Sequence, residues 1–319
     1  MPTSNSTHID AAISQLMLRR MVDGSKDLIA NKIFTPLVVE RDSDKYYKFN
    51  DANTLIPATE RAGGAEANST DFDFTTGSFQ ATRKALKHFI DDDIYSNADK
   101  GIKTNYRKAA ALHIMDQLLI DKENRAAAVA FSTANFSGKT AALSGTDQWS
   151  DYANSTPFDV ISEKAELVLQ ACGKQPNTII IGQQVWTQLR NHPQLIDRLP
   201  DNRVRRANIN LFKEMLGDED LNIENILIGR QTKNTGTAAT PTNTFIWGKL
   251  CLVAYISPES RTVMDNTLSK TFIPKDLSGM QVEYYRLNNF KGLFCETNTK
   301  YVHEIVNNSC GYLIDTVVA

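Results

Sequence analysis

The sequence predicts an α+β protein, and three observations carry that reading. A helical repeat of unusual length runs over roughly 96–130, β-prone stretches lie before it and again at the end of the chain, and the segment between alternates helix and strand signals. At 319 residues and 41% hydrophobic, the chain allows two domains or one large one around a sizeable core. Stability therefore needs no disulfide or metal staple.

Residues 8–22 place Ile9, Ile13 and Leu16 at helical intervals, which predicts a short amphipathic helix after a polar start. Over 37–90 the texture turns β-prone, with Tyr46, Tyr47 and Phe49 on one side and Phe72 and Phe74 on the other. Between them lies a polar tip containing Pro57, Gly63, Gly64, Asn68 and Ser69, so a long two-stranded ribbon is expected. Two strands alone bury too little apolar surface to offset their ordering entropy. Something else must hold the ribbon, and another subunit is one candidate.

The strongest helix signal follows, with Ile102, Tyr106, Ala109, Leu112, Met115 and Leu119 recurring every three or four residues. At about 1.5 Å per residue it would run about 50 Å, the length of a structural spine. Residues 132–154 are small and polar and read as a linker.

Beyond it, Thr156-Pro157-Phe158-Asp159 is a helix start with Pro in the first turn and an acid three after the Thr. Ile161, Ala165, Val168 and Cys172 then line one face up to Gly173. A strand is expected over 178–181, short helices over 183–191 and 194–199, a helix over 209–216 and a strand over 226–228. An exposed loop is expected over 231–244 and a buried strand over 245–256. The tail, over 280–287, 293–306 and 312–318, alternates in the manner of an antiparallel sheet.

Charge and cysteine usage exclude several classes. With 35 Lys and Arg against 37 Asp and Glu, the net charge of -2 gives no single-sign field for steering onto nucleic acid or an anionic membrane. Near-neutrality permits self-association. Apolar runs such as 250–256 and 126–131 fall far below the ~20 residues a bilayer requires, and no signal peptide is spelled out. Cys172, Cys251, Cys295 and Cys310 form no C-x-x-C pair, so free thiols are expected.

The inventory of chemistry is nearly empty. His8, His88, His113, His192 and His303 have no metal-ligand spacing. Gly138-Lys139-Thr140 ends like a phosphate loop, but Thr133 stands where the motif needs Gly, and losing that Gly matters because the loop aims successive backbone amides at phosphate. Asp91, Asp92 and Asp93 could hold a hard cation, yet carboxylates just before a helix are favoured by its dipole and otherwise solvated. Arg198, Arg203, Arg205 and Arg206 form a basic cluster diluted by Asp197 and Asp201, which reads as a solvated face or a salt-bridged subunit contact rather than a nucleic-acid site. Trp149, Trp186 and Trp247 read as core. No catalytic, metal or cofactor residue is assigned, and the expectation is a protein that is not an enzyme.

Several stretches, in order, carry a resemblance. Gly145-Thr146-Asp147-Gln148-Trp149, Ser155-Thr156-Pro157-Phe158-Asp159-Val160, Pro176-Asn177-Thr178-Ile179-Ile180-Ile181-Gly182, Arg190-Asn191-His192-Pro193 and Phe245-Ile246-Trp247-Gly248-Lys249 closely resemble the major capsid proteins of tailed bacteriophages. The resemblance implies the Hong Kong-97-type capsid fold. Residues 1–36 would be an N-terminal arm, 37–92 an extended E-loop, 93–144 and 257–319 the peripheral domain with the spine helix and antiparallel strands, and 145–256 an α/β axial domain. It also implies a virion shell protein, assembled in the host bacterial cytoplasm, that forms hexamers and pentamers and closes into an icosahedral shell. Such a shell encloses double-stranded DNA non-specifically, with no cofactor and no membrane. The E-loop would lie across a neighbour, with Thr54, Leu55, Ile56, Arg61 and Phe72 as its contacts.

A portal protein, a separate scaffolding protein and, in some members, a decoration protein would be further partners. Scaffolding is expected to be separate because Met1 lies close to the first structured residues. Some relatives cross-link through an E-loop Lys, but residues 51–80 contain none, with Arg61 the only base, so no such chainmail is expected. The alternative is an encapsulin-type nanocompartment shell, which would need an inner groove for cargo peptides. Further off is a soluble metal- or nucleotide-dependent enzyme using Asp91–Asp93 or the loop at Lys139.

Overall fold

The computed structural model describes residues 8–9, 28–49, 56, 59–61, 64, 66–69, 74–97, 100–197, 208–218, 221–237, 240–258 and 265–319. The strands are β1 (His8–Ile9), β2 (Thr35–Val39), β3 (Ser43–Phe49), β4 (Phe74–Gln80) and β5 (Thr82–Asp91), then β6 (Thr140–Ala142), β7 (Thr178–Gly182), β8 (Asn225–Gly229), β9 (Thr232–Asn234) and β10 (Asn243–Phe245). They continue as β11 (Cys251–Ala254), β12 (Ser269–Pro274), β13 (Gln281–Tyr285), β14 (Gly292–Ile305) and β15 (Gly311–Asp315). The long helix spans Lys100–Ala130, about 47 Å at 1.5 Å per residue, and is preceded by a separate short helix, Asp92–Asn97.

The first sheet has the order β1-β13-β14-β12-β2, with β5 on the other edge of β14. Its inner face lies on the long helix, where Ala111, Ile114, Met115 and Leu118 meet Ile90, Met280, Val282 and Cys295. The second sheet, β6-β15-β11-β7-β8, is mixed, with β6 parallel to β15, β7 parallel to β8 and antiparallel pairs between. Its central strands are apolar without alternation because both faces are covered. Ile179, Ile181 and Val253 face the helix Pro157–Cys172, whereas Ile180, Leu252 and Leu313 face Ile33, Ala126, Ala127 and Ala130. The long helix is thus core to both sheets, its middle under the first and its end under the second.

Most of the second unit forms where the sequence indicates. Pro157 opens its helix and Gly173 closes it in the left-handed region at φ 68°, which a residue with a Cβ adopts only at a cost. Thr156 makes no side-chain cap, however, and Gln194 Oε1 accepts from Phe158 N instead.

Several expectations are corrected. His8 and Ile9 form a strand against Glu283 and Tyr284 rather than a helix start, while residues 10–22 of the expected helix lie outside the described residues. The end of the expected arm is core: Ile29, Ala30, Ile33 and Phe34 are buried. The ribbon is β3 with β4 alone, because β2 pairs with β12 and β5 with β14. The expected loop over 231–244 contains the hairpin β9–β10, and the strand expected over 245–256 is paired in the second sheet only at 251–254. β15 does not join β13 and β14. A 3-10 turn, Asn308–Cys310, redirects the chain, and β15 enters the second sheet between β6 and β11, where burial on both faces suits its apolar run. All four cysteines are buried and none forms a disulfide. Among the described residues no helix is long and apolar enough to cross a membrane.

Candidate intersubunit surfaces

The β3–β4 ribbon runs antiparallel from Ser43↔Gln80 to Phe49↔Phe74. Strand alternation puts Tyr46 and Phe79 on the face turned to the body, where they are 3% and 4% exposed. The Phe79 ring stacks on Phe272 of β12 at 4.2 Å, Tyr46 lies 5.5 Å from the same ring, and Leu37 and Val306 complete the cluster. Gly77 sits directly opposite Tyr46, and a Cβ there would stand 2.4 Å from Tyr46 Cζ. Only glycine lets the ring lie across the ribbon. Lys300 Nζ adds ion pairs to Asp42 at 2.5 Å and Asp276 at 3.2 Å. The chain's own first sheet therefore holds the root, for which another subunit had been one candidate.

Farther out, the described residues between 56 and 69 are exposed. Tyr47 is exposed on the opposite face, Ile56 is 90% exposed, and Arg61 is exposed. Thr54, Leu55 and Phe72 lie outside the described residues, as do Arg198, Arg203, Arg205 and Arg206.

Where the long helix enters the second core, Glu123 ties three segments together. Its carboxylate accepts from Ile29 N at 2.9 Å, Ala30 N at 3.0 Å and Trp247 Nε1 at 2.8 Å. Burial pushes its pKa up, against those three donors and neighbouring Lys122. Lys122 Nζ donates to Asn31 Oδ1 at 2.7 Å, and burial pulls its pKa down to about 8. Lys84 donates to Thr82 and to Tyr301 O, and burial, with Arg125 nearby, pulls it down to about 8 as well. The two ammonium groups lie 4.3 and 5.3 Å from the centre of the Tyr301 ring. Sequence reading missed this set, since Lys122 and Glu123 fall at positions that read as polar helix surface. The neighbouring Ala126, Ala127 and Ala130, small and on one face, were the available sign that the helix end is enclosed.

Among the described residues, the carboxylate run and the Lys139 loop are not arranged for the chemistry considered. Asp92 forms a two-pronged pair with Arg286, and Asp91 Oδ1 accepts from Asp93 N at the helix start. Lys139 leads into strand β6 rather than a helix N-terminus, so no row of amides converges there. Ser155 Oγ lies 3.0 Å from His192 Nε2, a spacing that could suggest a nucleophile and its base. The wiring runs the other way. His192 Nδ1 accepts from Gln194 N, so Nε2 carries the proton and donates to Ser155, whose hydroxyl donates to Asp151 O at 2.6 Å. The pair fastens the turn 151–155 to the start of the Pro193–Ile196 helix. Among the described residues no three metal-ligating side chains cluster.

No family model matches the chain. A major capsid protein of Burkholderia phage BcepMu is 25% identical over 233 residues, covering 72% of this chain and 71% of that one. In sequence the chain is similar to phage major capsid proteins. A phage-related protein from Bordetella bronchiseptica RB50 superposes with a TM-score of 0.74 at 20% identity, over 97% of both chains. The capsid of cyanophage P-SCSP1u does so with a TM-score of 0.56 at 12% identity, over 89% of this chain and 86% of that one. The fold is the Hong Kong-97-type capsid fold. The β3–β4 ribbon falls in the segment expected to be the E-loop, and the long helix is the one expected to be the spine.

Proposed function

We propose that this chain is the major subunit of a phage head, whose copies associate through hexamers and pentamers into a closed icosahedral shell around double-stranded DNA. The observation that carries the reading is the E-loop of a capsid-related chain: its root is packed into its own subunit while Tyr47, Ile56 and Arg61 stand in solvent. A projection of that kind is completed by a neighbour. We assign Thr54, Leu55, Ile56, Arg61 and Phe72 to that contact, and read Arg198, Arg203, Arg205 and Arg206, the basic cluster of the axial domain, as a solvated face or a salt-bridged subunit contact. Each contact can be weak because closure multiplies them. The near-neutral wall suits DNA that must later leave.

The role is structural rather than catalytic, with assembly in the host cytoplasm alongside a scaffolding protein and a portal protein. The absence of Lys over 51–80 supports a shell without E-loop isopeptide bonds. The identity to a phage major capsid protein favours a virus over a nanocompartment.

Electron microscopy and light scattering of the expressed protein, with and without its co-encoded scaffold, test the reading. Shells or capsomers are expected, far above the radius of gyration of about 20 Å of a compact monomer. Deleting 54–71 should leave a folded subunit that no longer assembles. A wild-type chain that stays a compact monomer in every condition overturns the proposal.

A further inference from the structure

β14 is longer than the partners on one of its edges. On one side it pairs with β13 over 294–298 and with β12 over 302–305. On the other, β5 pairs with 292–301 and ends at Thr82↔Tyr301. Among the described residues no strand pairs with 302–305 on that second side.

The direction of the backbone groups follows from two hydrogen bonds. Along an antiparallel strand, the N–H and C=O of one residue point to one edge and those of the next to the other. Val306 N donates to Leu268 O just ahead of β12, so even-numbered residues here face β12. Lys291 O accepts from Asp92 N just past β5, so odd-numbered residues face the β5 side. The main-chain groups of His303 and Ile305 therefore point away from β12. Ile305 O accepts only a long bond, 3.4 Å, from Tyr46 Oη.

That edge lies along a groove of about 720 Å³. The four consecutive strand residues 302–305 all line it, which a strand can do only along its edge, since successive side chains turn to opposite faces; the turn residues 306–309 extend the lining. The E-loop forms one wall with Lys48 and Thr75, and the turn after the spine helix forms the other with Ala134 and Asn135. The lining is mostly polar, unlike the apolar lining of small-molecule sites. It suits a peptide backbone.

We propose that the 302–305 edge of β14 is a strand-addition site, and that its occupant is an extended segment of a second copy of this chain. The added strand continues the line of β5, about 13 Å over four residues, and satisfies the outward groups of His303 and Ile305. A second copy is the occupant because one wall of the groove, Lys48 and Thr75, belongs to the same ribbon whose outer part the proposed function already gives to a neighbouring subunit. The inference rests on that reading, and the experiment separates the two.

The test is hydrogen–deuterium exchange of the 302–306 segment in isolated subunits and in assembled particles, for the wild type and for Ala134→Trp and Thr75→Trp. Both variants place bulk on exposed groove walls and should keep the wild-type thermal transition. The His303 and Ile305 amides should exchange freely in the subunit and slow by about a hundredfold or more in particles. Both variants should need at least about tenfold more protein to assemble, or fail to do so. Wild-type particles with unprotected 303 and 305 amides overturn strand addition and leave the capsid reading standing. Protection already present in the isolated subunit, or appearing only with an added scaffold protein, overturns the second copy as occupant. A wild type that never assembles overturns both.

Discussion

Glu123→Gln probes the point at which the N-terminal segment, the spine helix and the axial core meet. The side chain is 1% exposed and its two oxygens serve three donors, Ile29 N and Trp247 Nε1 on Oε1 and Ala30 N on Oε2. Glutamine has nearly the same shape, so no cavity opens. Its one carbonyl can keep the Oε1 pair, but its NH₂ must then stand against the Ala30 amide, donor to donor, where a 3.0 Å bond had been. One charge-assisted bond of about 1.5–3 kcal/mol is lost and two others fall to neutral strength, about 0.5–1.5 kcal/mol each. Relief of a buried charge offsets part of this, leaving an expected loss of about 2–4 kcal/mol. Denaturant unfolding followed by tryptophan fluorescence reads it, because the Trp247 indole donates to Glu123 and Phe131 stands edge-on to it at 5.1 Å. Glu163→Gln, which touches only the exposed pair with Lys164, is the control and should change stability by under about 0.5 kcal/mol. A Glu123→Gln loss no larger than that control would refute the argument that these three bonds hold the segments together.

Three further outcomes are expected. Lys122 is deprotonated at about pH 8 in the folded chain but near 10.4 when unfolded, so its contribution to stability rises as pH climbs between those values. Lys122→Met should therefore show its greatest advantage over the wild type at pH 7 and lose it, by up to about 3 kcal/mol, by pH 10.4; a pH-independent difference in paired denaturation curves would contradict the buried ammonium. Gly77→Val should drive Tyr46 off its seat against Phe272 and abolish shell formation in electron microscopy while the subunit keeps its main thermal transition; normal shells would show that the seat is dispensable. Trp186→Ala should destabilise the axial core by about 3–5 kcal/mol, and a change under about 0.5 kcal/mol would contradict a ring that is 5% exposed against Phe212.

The sequence by itself determined what periodicity and local chemistry can encode. The spine helix shows in its repeat, the helix Pro157–Cys172 in its opening Pro and closing Gly, β7 and β8 in short apolar runs, and all three tryptophans as core. The exposure of Ile56 and Arg61 was also legible, because a polar, Gly-rich stretch has little to bury. What only the tertiary structure decided is which segments meet. The apolar run of β15 suits either sheet, and only its pairing with β6 and β11 places it in the second one. β12 has no strong signal of its own, yet its Phe272 carries the root of the β3–β4 ribbon through Phe79 and Tyr46. Glu123 and Lys122 look like helix surface until the N-terminal segment and Trp247 close over them. Among the described residues, β14 has an unpaired edge because β5 stops at Thr82 while β14 runs on. The physical reason is common to these cases: hydrophobic period and turn chemistry act within a few residues, whereas pairing, stacking and desolvation depend on partners distant in sequence, which the chain brings together only on folding.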